Sequence, residues 1–202
     1  MLLDKREVLQ KLPGMEKVVL EFGCGPKKAR SESIAIDFID YPCVDIVGDA
    51  MEFLRKLPDS SVDEITSSHF LEHIPDFKLF LTESCRVLKS GALFDATVPH
   101  FSNPYYYSDL THKTPFGLYT LSYFVHDGIF RRAVPAYSER LPMNLVFVDL
   151  VFNSYSKRNV RHWVKKIFQI VFNSSIFMKE FYEESLCFLF PCYELHFQVK
   201  KS

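Results

Sequence analysis

Glycine and aspartate residues end three successive apolar runs in the first quarter of the chain. Gly23 and Gly25 follow residues 18–22, and glycines at i and i+2 allow a sharp turn and a close approach of the backbone to a ligand. Asp37 and Asp49 end the next two runs. A carboxylate at the first position can accept hydrogen bonds from ribose hydroxyls, and one at the second from an adenine amino group. Each feature alone is also typical of a turn or a helix N-cap, but their order predicts a nucleoside site.

A dinucleotide is less well accommodated by the same residues. The dinucleotide fingerprint places a third glycine three residues after Gly25, where a helix N-terminus faces the pyrophosphate. Lys28 occupies that position, and residues 26–32 are too few for a regular helix plus a loop. The sequence therefore favours a ligand without a pyrophosphate.

A second pattern, His69-Phe70-Leu71-Glu72-His73, fits the H-x-x-E-H motif of inverted zinc proteases. That chemistry requires two zinc-binding histidines and a glutamate base on one helix. Here the pattern begins at the end of a predicted strand, and Pro75 follows it closely. These neighbours favour a packed, hydrogen-bonded histidine at His73, and we predict no metal ligands.

The elements that must position these residues are short. Nearly continuous apolar runs over 18–22, 33–38 and 45–49 are typical of strands buried on both faces of a parallel sheet. A fourth and a fifth strand are predicted over 62–67 and 92–98. Helices are predicted over 1–14, 50–57 and 75–88, the last closed by Lys89-Ser90-Gly91. Alternating strands and helices indicate an α/β sheet with helices on both faces.

The second half of the chain is rich in aromatic residues. Residues 100–119 predict a long loop or lid, 120–126 a helix, 145–153 a strand and 194–199 a last strand. Residues 156–184 are predicted to be mostly helical, with a break near 173–175. We expect one domain over 1–202, because no linker or repeat divides the chain.

Composition and charge limit the classes of partner. The 202 residues include 24 Lys and Arg against 25 Asp and Glu, a formal charge of −1, so we expect no nucleic acid partner. The five cysteines form no C-x-x-C pair, which favours a reducing compartment. The N-terminus has charges where a signal peptide needs an apolar core, and the longest apolar run, 167–178, is too short to span a bilayer. We expect a cytoplasmic protein, with peripheral contact at the inner face of the membrane as an alternative.

The motifs over 18–25, 34–37, 48–50, 58–65, 67–74 and 86–91 together resemble the class I S-adenosylmethionine-dependent methyltransferases, in particular the methyltransferase type 11 group. The resemblance covers about residues 17–100. It implies a Rossmann-like, seven-stranded, mostly parallel sheet with helices on both faces and an antiparallel final strand. It implies a cofactor-binding core over 17–100, an acceptor-side insertion or lid over 101–145, and C-terminal strands with an aromatic helix over 146–202.

The resemblance also implies the cofactor, S-adenosylmethionine, and the position of its parts. Glu21, Gly23 and Gly25 would face the methionine part, Asp37 the ribose, and Asp49 with Ala50 the adenine. Ser68 and His69 would lie near the sulfur. A departure from the motif is Lys27, where many members have a third glycine. The full predicted set is Glu21, Phe22, Gly23, Cys24, Gly25, Asp37, Phe38, Asp49, Ala50, Ser68 and His69.

Candidates for a general base follow the fifth strand. His112 is the first, because histidine titrates near neutral pH and a carboxylate can orient it; His100 and Asp109 are the second and third. The surrounding stretch is similar to one with Asp-Pro-Thr-His-Lys in proteins of polysaccharide and antibiotic pathways, with Leu110 here in place of the proline. Tyr105–Tyr107 either wall an acceptor pocket or anchor the loop.

Residues 158–190 carry a basic, aromatic and amphipathic helix. Arg158, Arg161, Lys165 and Lys166 precede Ile167-Phe168. Such a helix can lie on a membrane, form a homodimer face or cover the sheet. The third interpretation is favoured, because most apolar stripes face a core.

The sequence thus predicts a methyltransferase for a small-molecule or glycan-linked acceptor, with a sugar hydroxyl in polysaccharide biosynthesis as the specific expectation. One alternative is a non-catalytic module that binds S-adenosylmethionine or serves as a scaffold. Another is a zinc hydrolase at His69 and His73.

Overall fold

A mixed sheet of nine strands runs through the described part of the chain. The computed structural model describes residues 2–154 and 160–202. Its strands are β1 (Leu3–Asp4), β2 (Val19–Phe22), β3 (Ile34–Asp37), β4 (Ile46–Val47), β5 (Val62–Ser68), β6 (Leu88–Pro99), β7 (Val125–His126), β8 (Leu141–Val151) and β9 (Glu194–Lys201). Their order in the sheet is β1-β4-β3-β2-β5-β6-β9-β8-β7.

This topology confirms the predicted fold class. The strands β2 to β6 pair in parallel, and β9 lies antiparallel between β6 and β8. The strand count differs from the prediction, because the two-residue strands β1 and β7 extend the seven-stranded set at its two edges. β8 and β9 are neighbours, but residues 152–193 separate them along the chain.

The described residues form five α-helices. These are α1 (Val8–Lys11), α2 (Ala50–Leu54), α3 (Phe77–Val87), α4 (Val160–Phe172) and α5 (Ile176–Ser185). The predicted break near 173–175 separates α4 from α5. Three predictions were wrong. The described part of 1–14 contains β1, the short α1 and a 3-10 turn over Leu12–Gly14 rather than one helix, 120–126 forms a 3-10 turn and β7, and Lys89–Gly91 lie inside β6 rather than in a helix cap.

The two faces of the sheet differ in polarity. On one face, Phe22 and Phe94 contact Phe80 of α3, and Phe152 beyond β8 contacts Phe172 of α4 and Tyr182 of α5. The opposite face carries half-buried polar side chains from adjacent strands, among them Glu64, Thr66, Asp95, His196 and Gln198. The helices α2 to α5 thus associate with the apolar face, because only that face offers a continuous apolar surface to bury. The expectation of helices on both faces is wrong for these four helices, since the connections from β2 to β3 and from β3 to β4 contain no helix among the described residues.

The crossover from β2 to β3, residues 23–33, contains no helix, as its length predicted. Polar contacts hold it instead. Lys28 Nζ donates to the carbonyl of Ser33 at 2.6 Å and pairs with Asp45 at 2.5 Å. Asp45 is 3% exposed and also accepts the Ala35 N–H at 2.8 Å. Lys28, which occupies the third-glycine position of the dinucleotide fingerprint, therefore links the crossover to Asp45, just before β4.

We predict that Asp45→Ala lowers the free energy of unfolding by about 3 kcal/mol, because it leaves the Lys28 ammonium partly buried without its partner. Urea denaturation at neutral pH measures the change. Asp40→Ala is the matched control: Asp40 pairs with Lys5 at 2.7 Å, but its side chain is 58% exposed, so the expected change is below about 1 kcal/mol. Equal effects of the two substitutions would contradict the assigned role of Asp45.

Candidate functional site

The turn after β2 requires glycine at both predicted positions. Gly23 and Gly25 have φ values of 69° and 59°, in the region that side chains disfavour. The Gly23 N–H donates to the carbonyl of Ile36 at 2.8 Å, and the Gly25 N–H donates to Asp37 Oδ2 at 2.9 Å. A Cβ on Gly23 would lie 2.7 Å from Cβ of Phe70, whereas one on Gly25 would meet open space. The turn therefore ties the carboxyl ends of β2 and β3 together.

The two aspartates at the strand ends have local partners. Asp37 Oδ1 accepts the Ile39 N–H at 2.9 Å, in addition to the bond from Gly25. Asp49 is the N-cap of α2, and its Oδ1 accepts the Glu52 N–H at 2.8 Å. A carboxylate offers about four acceptor positions, so these bonds leave both aspartates with acceptor capacity toward a ligand.

The remaining residues of the predicted set differ in accessibility. Phe38 is 82% exposed next to Asp37, whereas Phe22 and Ala50 are buried. Cys24 and Cys43 both donate to the carbonyl of Gly25. Burial, and then the neighbouring Cys43, raises the pKa of the Cys24 thiol to about 12, so Cys24 stays a protonated thiol at neutral pH.

Glu21 holds the crossover loop. Its Oε1 accepts the Ala29 N–H at 2.7 Å and its Oε2 accepts the Ser33 hydroxyl at 2.5 Å. The side chain is 5% exposed. The structure therefore uses the acid of the glycine motif to fix the loop that borders the site.

An open cleft of about 420 Å³ lies between this loop and the carboxyl ends of β2, β5 and β6. Its lining includes Glu21, Gly23, Cys24 and Ser68 from the predicted set. Sequence reasoning missed several other lining residues: Lys27, Arg30, Thr66, Ser67, Asp95 and Thr97. The alternation of polar residues within β5 and β6 was the available signal, because it distinguishes a polar sheet face from a buried one.

Asp95 is ionised in this cleft. Its burial opposes ionisation, but hydrogen bonds from His196 at 3.1 Å and Gln198 at 3.2 Å lower the pKa of its carboxyl below the usual range. The same contact with Asp95 raises the pKa of His196. The cleft therefore contains an ionised carboxylate at Asp95, hydrogen-bonded to His196.

His69 lies at the exposed end of β5, next to Ser68. Its backbone has φ 52°, and its Nε2 bonds to Glu194 Oε1 at 2.7 Å. The hydrogen bond to Glu194, followed by the contact with Glu72, raises the pKa of His69 to about 9. His69 is therefore a cation at neutral pH that ties the end of β5 to β9.

The H-x-x-E-H residues do not share a helix. Leu71–His73 form a single 3-10 turn after β5, and His69 is turned toward Glu194. The geometry that a zinc protease requires is therefore not formed by His69 and His73. Glu72 is nevertheless unusual, because it is 1% exposed and neither of its carboxylate oxygens accepts a hydrogen bond among the described residues.

The three base candidates occupy different environments. His100 is 0% exposed; its Nδ1 accepts the Ser102 N–H at 3.1 Å and its Nε2 bonds to Glu183 at 3.2 Å, which favours a structural role. Asp109 accepts the Thr111 hydroxyl at 2.6 Å. His112 directs its Nδ1 at the carbonyl of Tyr106, 2.8 Å away, and its Nε2 lies 4.0 Å from Glu72 Oε1 and 3.7 Å from Asp109 Oδ2.

The helices α4 and α5 pack against the sheet as expected, with Phe168 and Phe172 of α4 in contact with Phe152, but their outer surface is also apolar. The α4–α5 face consists of exposed apolar residues: Val160, Trp163, Val164, Ile167, Ile170, Val171, Phe177 and Phe181. Lys165 and Lys166 instead bond to Asn153. Arg158 lies outside the described residues. Among the described helices, none is both long and apolar enough to cross a bilayer.

Comparison with known proteins places this geometry in a known fold. A structure of an S-adenosylmethionine-dependent methyltransferase from Archaeoglobus fulgidus superposes with a TM-score of 0.55 at 20% identity, covering 98% of this chain and 92% of that one. Phosphoethanolamine N-methyltransferase 2 of Haemonchus contortus, in complex with S-adenosyl-L-methionine, gives a TM-score of 0.51 at 14% identity, covering 97% of this chain and 51% of that one. The chain thus has the class I methyltransferase fold.

A comparison of the sequence with protein families leads to the same class of protein for part of the first half of the chain. Residues 26–94 match the model of the methyltransferase domain family, which confirms the resemblance read from the motifs. No curated protein matches the chain.

We predict that Gly23→Ala destabilises the protein more than Gly25→Ala. Both substitutions force a side chain into a left-handed conformation, at a cost of about 1–2 kcal/mol. Gly23→Ala in addition displaces the ring of Phe70, at a further cost of about 1 kcal/mol or more. Urea denaturation compares the two variants. A Gly25→Ala protein as unstable as Gly23→Ala would contradict the assigned contact with Phe70.

Proposed function

We propose that the protein is a methyltransferase that uses S-adenosylmethionine. The observation that carries this proposal is the cleft at the carboxyl ends of β2, β5 and β6, bordered by the glycine turn and followed along the edge by Asp37 and Asp49. The family match and the fold support the same cofactor. In open α/β sheets, ligands bind at this edge.

The described residues fit the cofactor part by part. Gly25 has open space where a side chain would lie, and Gly23 lines the cleft, so the backbone of the turn is accessible to the amino-acid part. Asp37 retains acceptor positions for ribose hydroxyls, and the exposed ring of Phe38 stands beside it. Ser68 lines the cleft, and the cationic His69 follows it in the chain. Lys28 is tied to Asp45 rather than opening a helix, so a pyrophosphate lacks the helix N-terminus that a dinucleotide site provides.

When bound, S-adenosylmethionine supplies an electrophilic methyl group on its sulfonium. The protein's part is to align an acceptor in line with that group and to exclude water. The acceptor side is formed by the loop after β6, where Tyr105 and Tyr107 are 67% and 66% exposed. Exposed tyrosine rings next to hydrogen-bonding groups suit the face of a sugar. We therefore propose a small-molecule or glycan-linked acceptor, with a sugar hydroxyl as the first class to test.

We predict that Asp37→Ala weakens binding of S-adenosylmethionine and of S-adenosylhomocysteine at least about tenfold, because the ribose hydroxyls lose a charged acceptor. Isothermal titration calorimetry measures the affinities, with NAD titrated in parallel and no NAD binding expected. Asp40→Ala, on the same loop but directed toward Lys5, is the control with unchanged affinity. Unchanged binding by Asp37→Ala, with a normal circular dichroism spectrum, would reject the site.

Turnover separates the enzyme from a non-catalytic module of the same fold. The assay supplies S-adenosylmethionine carrying a radiolabelled methyl group and a panel of sugar nucleotides and oligosaccharides. Label transfer above a protein-free control supports the enzyme and its acceptor class. Cofactor binding with no transfer to any member of the panel supports the binding module.

We further propose that the α4–α5 face lies on an anionic membrane surface. The face combines aliphatic and aromatic side chains with flanking cations: Arg161 precedes Trp163, and the Arg131 guanidinium lies 5.9 Å from the ring centre of Phe177. Interfacial helices bind bilayers through such an apolar face with basic residues beside it. The cytoplasmic leaflet supplies the complementary negative charge.

We predict that Trp163→Glu combined with Ile170→Glu abolishes sedimentation with vesicles of phosphatidylglycerol and phosphatidylcholine, because two charges enter the buried part of the contact. Val146→Glu, at an exposed position of β8 outside this face, is the control that still sediments. Light scattering is measured on the same samples. If the native chain does not sediment and the double variant converts a dimer to a monomer, the face is a homodimer interface instead.

A further inference from the structure

Three ligand-type side chains converge beyond the end of β5. Glu72 and His73 come from the 3-10 turn Leu71–His73, and His112 comes from the loop after β6. One ligand atom of each lies within 4.8 Å of the others. Glu72 Oε1 is 4.0 Å from Nε2 of His73 and 4.0 Å from Nε2 of His112.

The Glu72 carboxylate is buried without a hydrogen bond to either oxygen among the described residues. Its side chain is 1% exposed. The nearest ion-pair contact is Nδ1 of His69, 3.5 Å from Oε1. Buried carboxylates are normally hydrogen-bonded, paired or bound to a metal. The single long contact with His69 leaves most acceptor positions of Glu72 unused, and these positions point to a second cation.

Both imidazoles are oriented as metal ligands are. His112 Nδ1 lies 2.8 Å from the carbonyl of Tyr106 and therefore donates its hydrogen there. Thr111 donates its hydroxyl to Asp109 at 2.6 Å, so Oγ1 accepts from His73 Nδ1 at 2.9 Å. With Nδ1 protonated in each ring, the Nε2 lone pair faces Glu72. Metal-bound histidines are held by such hydrogen bonds from their other nitrogen.

The backbone holds the two segments together. The N–H groups of Lys113 and Thr114 both donate to the carbonyl of Glu72, at 2.6 and 3.1 Å. His112 therefore cannot move far from Glu72 while the loop is folded. These two hydrogen bonds hold the loop that carries His112 beside the 3-10 turn that carries Glu72 and His73.

We propose that Glu72, His73 and His112 bind a divalent transition-metal ion, with zinc as the first candidate. Two imidazoles and one carboxylate leave open coordination positions, as in catalytic zinc sites and in two-histidine, one-carboxylate iron sites. Ligand bonds of about 2.0–2.1 Å place tetrahedral zinc ligands about 3.4 Å apart, so the three side chains close by less than about 1.5 Å around the ion. In this arrangement His112 is a ligand rather than the predicted base, and His69 is not a ligand.

The test uses the full chain, freed of metal with a chelator and titrated with Co²⁺ and then Zn²⁺. Visible absorption of the cobalt protein reports coordination, and a rise in melting temperature reports stabilisation by the ion. We expect one ion per chain. Glu72→Gln and His112→Gln should each weaken binding at least about a hundredfold, and Thr111→Val about tenfold through loss of the hydrogen bond to His73. His126→Gln, on the exposed edge strand β7, should bind as the native chain does.

Glu72→Gln separates metal binding from a structural role. The amide has the shape of the carboxylate but no buried charge, so the metal-free variant should melt no lower than the native protein and should lose the rise caused by zinc. A Cys24→Ser, Cys43→Ser variant should bind unchanged. Three results would each overturn the proposal. They are failure of the native chain to bind an ion, equal binding by Glu72→Gln and His126→Gln, and loss of binding in the Cys24→Ser, Cys43→Ser variant. None of these results depends on S-adenosylmethionine or on turnover.

Discussion

The short connection between β2 and β3 is the constraint on which the architecture of the site depends. Parallel strands usually need a dozen or more residues, commonly a helix, to cross over, and residues 23–33 contain none. Polar groups replace the missing apolar packing: Glu21 binds the backbone and hydroxyl of the loop, and Lys28 pairs with Asp45. The loop therefore contains no helix that would cover the polar face of the sheet. The cleft lies between the loop and the strands β2, β5 and β6.

The first half of the fold was predictable, because local residue types determine it. Short apolar runs formed β2 and β3, and positive φ at Gly23 and Gly25 explains the glycine pair. The missing crossover helix followed from chain length alone. By contrast, Lys89–Gly91 resembled a helix cap, but pairing of β6 with β5 and β9 carries the strand through them, since tertiary pairing overrides local preference.

Contacts between distant segments could not be read from the sequence. Periodicity identified an apolar stripe on α4 but not the direction that the stripe faces. The spacing of apolar residues along a helix contains no information about the elements that pack against it. The same limit applies to the cluster at Glu72: the pattern from His69 to His73 was visible, whereas its third member, His112, comes from a loop after another strand. His69, which the spacing favoured, is held by Glu194 of β9.

The position of β9 governs the order in which this sheet can assemble. β9 lies between β6 and β8, and its pairs with β6, such as Phe94 with Val199, join residues roughly a hundred positions apart in sequence. During synthesis β6 therefore presents an unpaired edge while β8, α4 and α5 emerge, and exposed edges recruit foreign strands. Closure of such long loops is slow. Completion of the fold should thus be a late step, and the period before it is when this chain is most prone to aggregate.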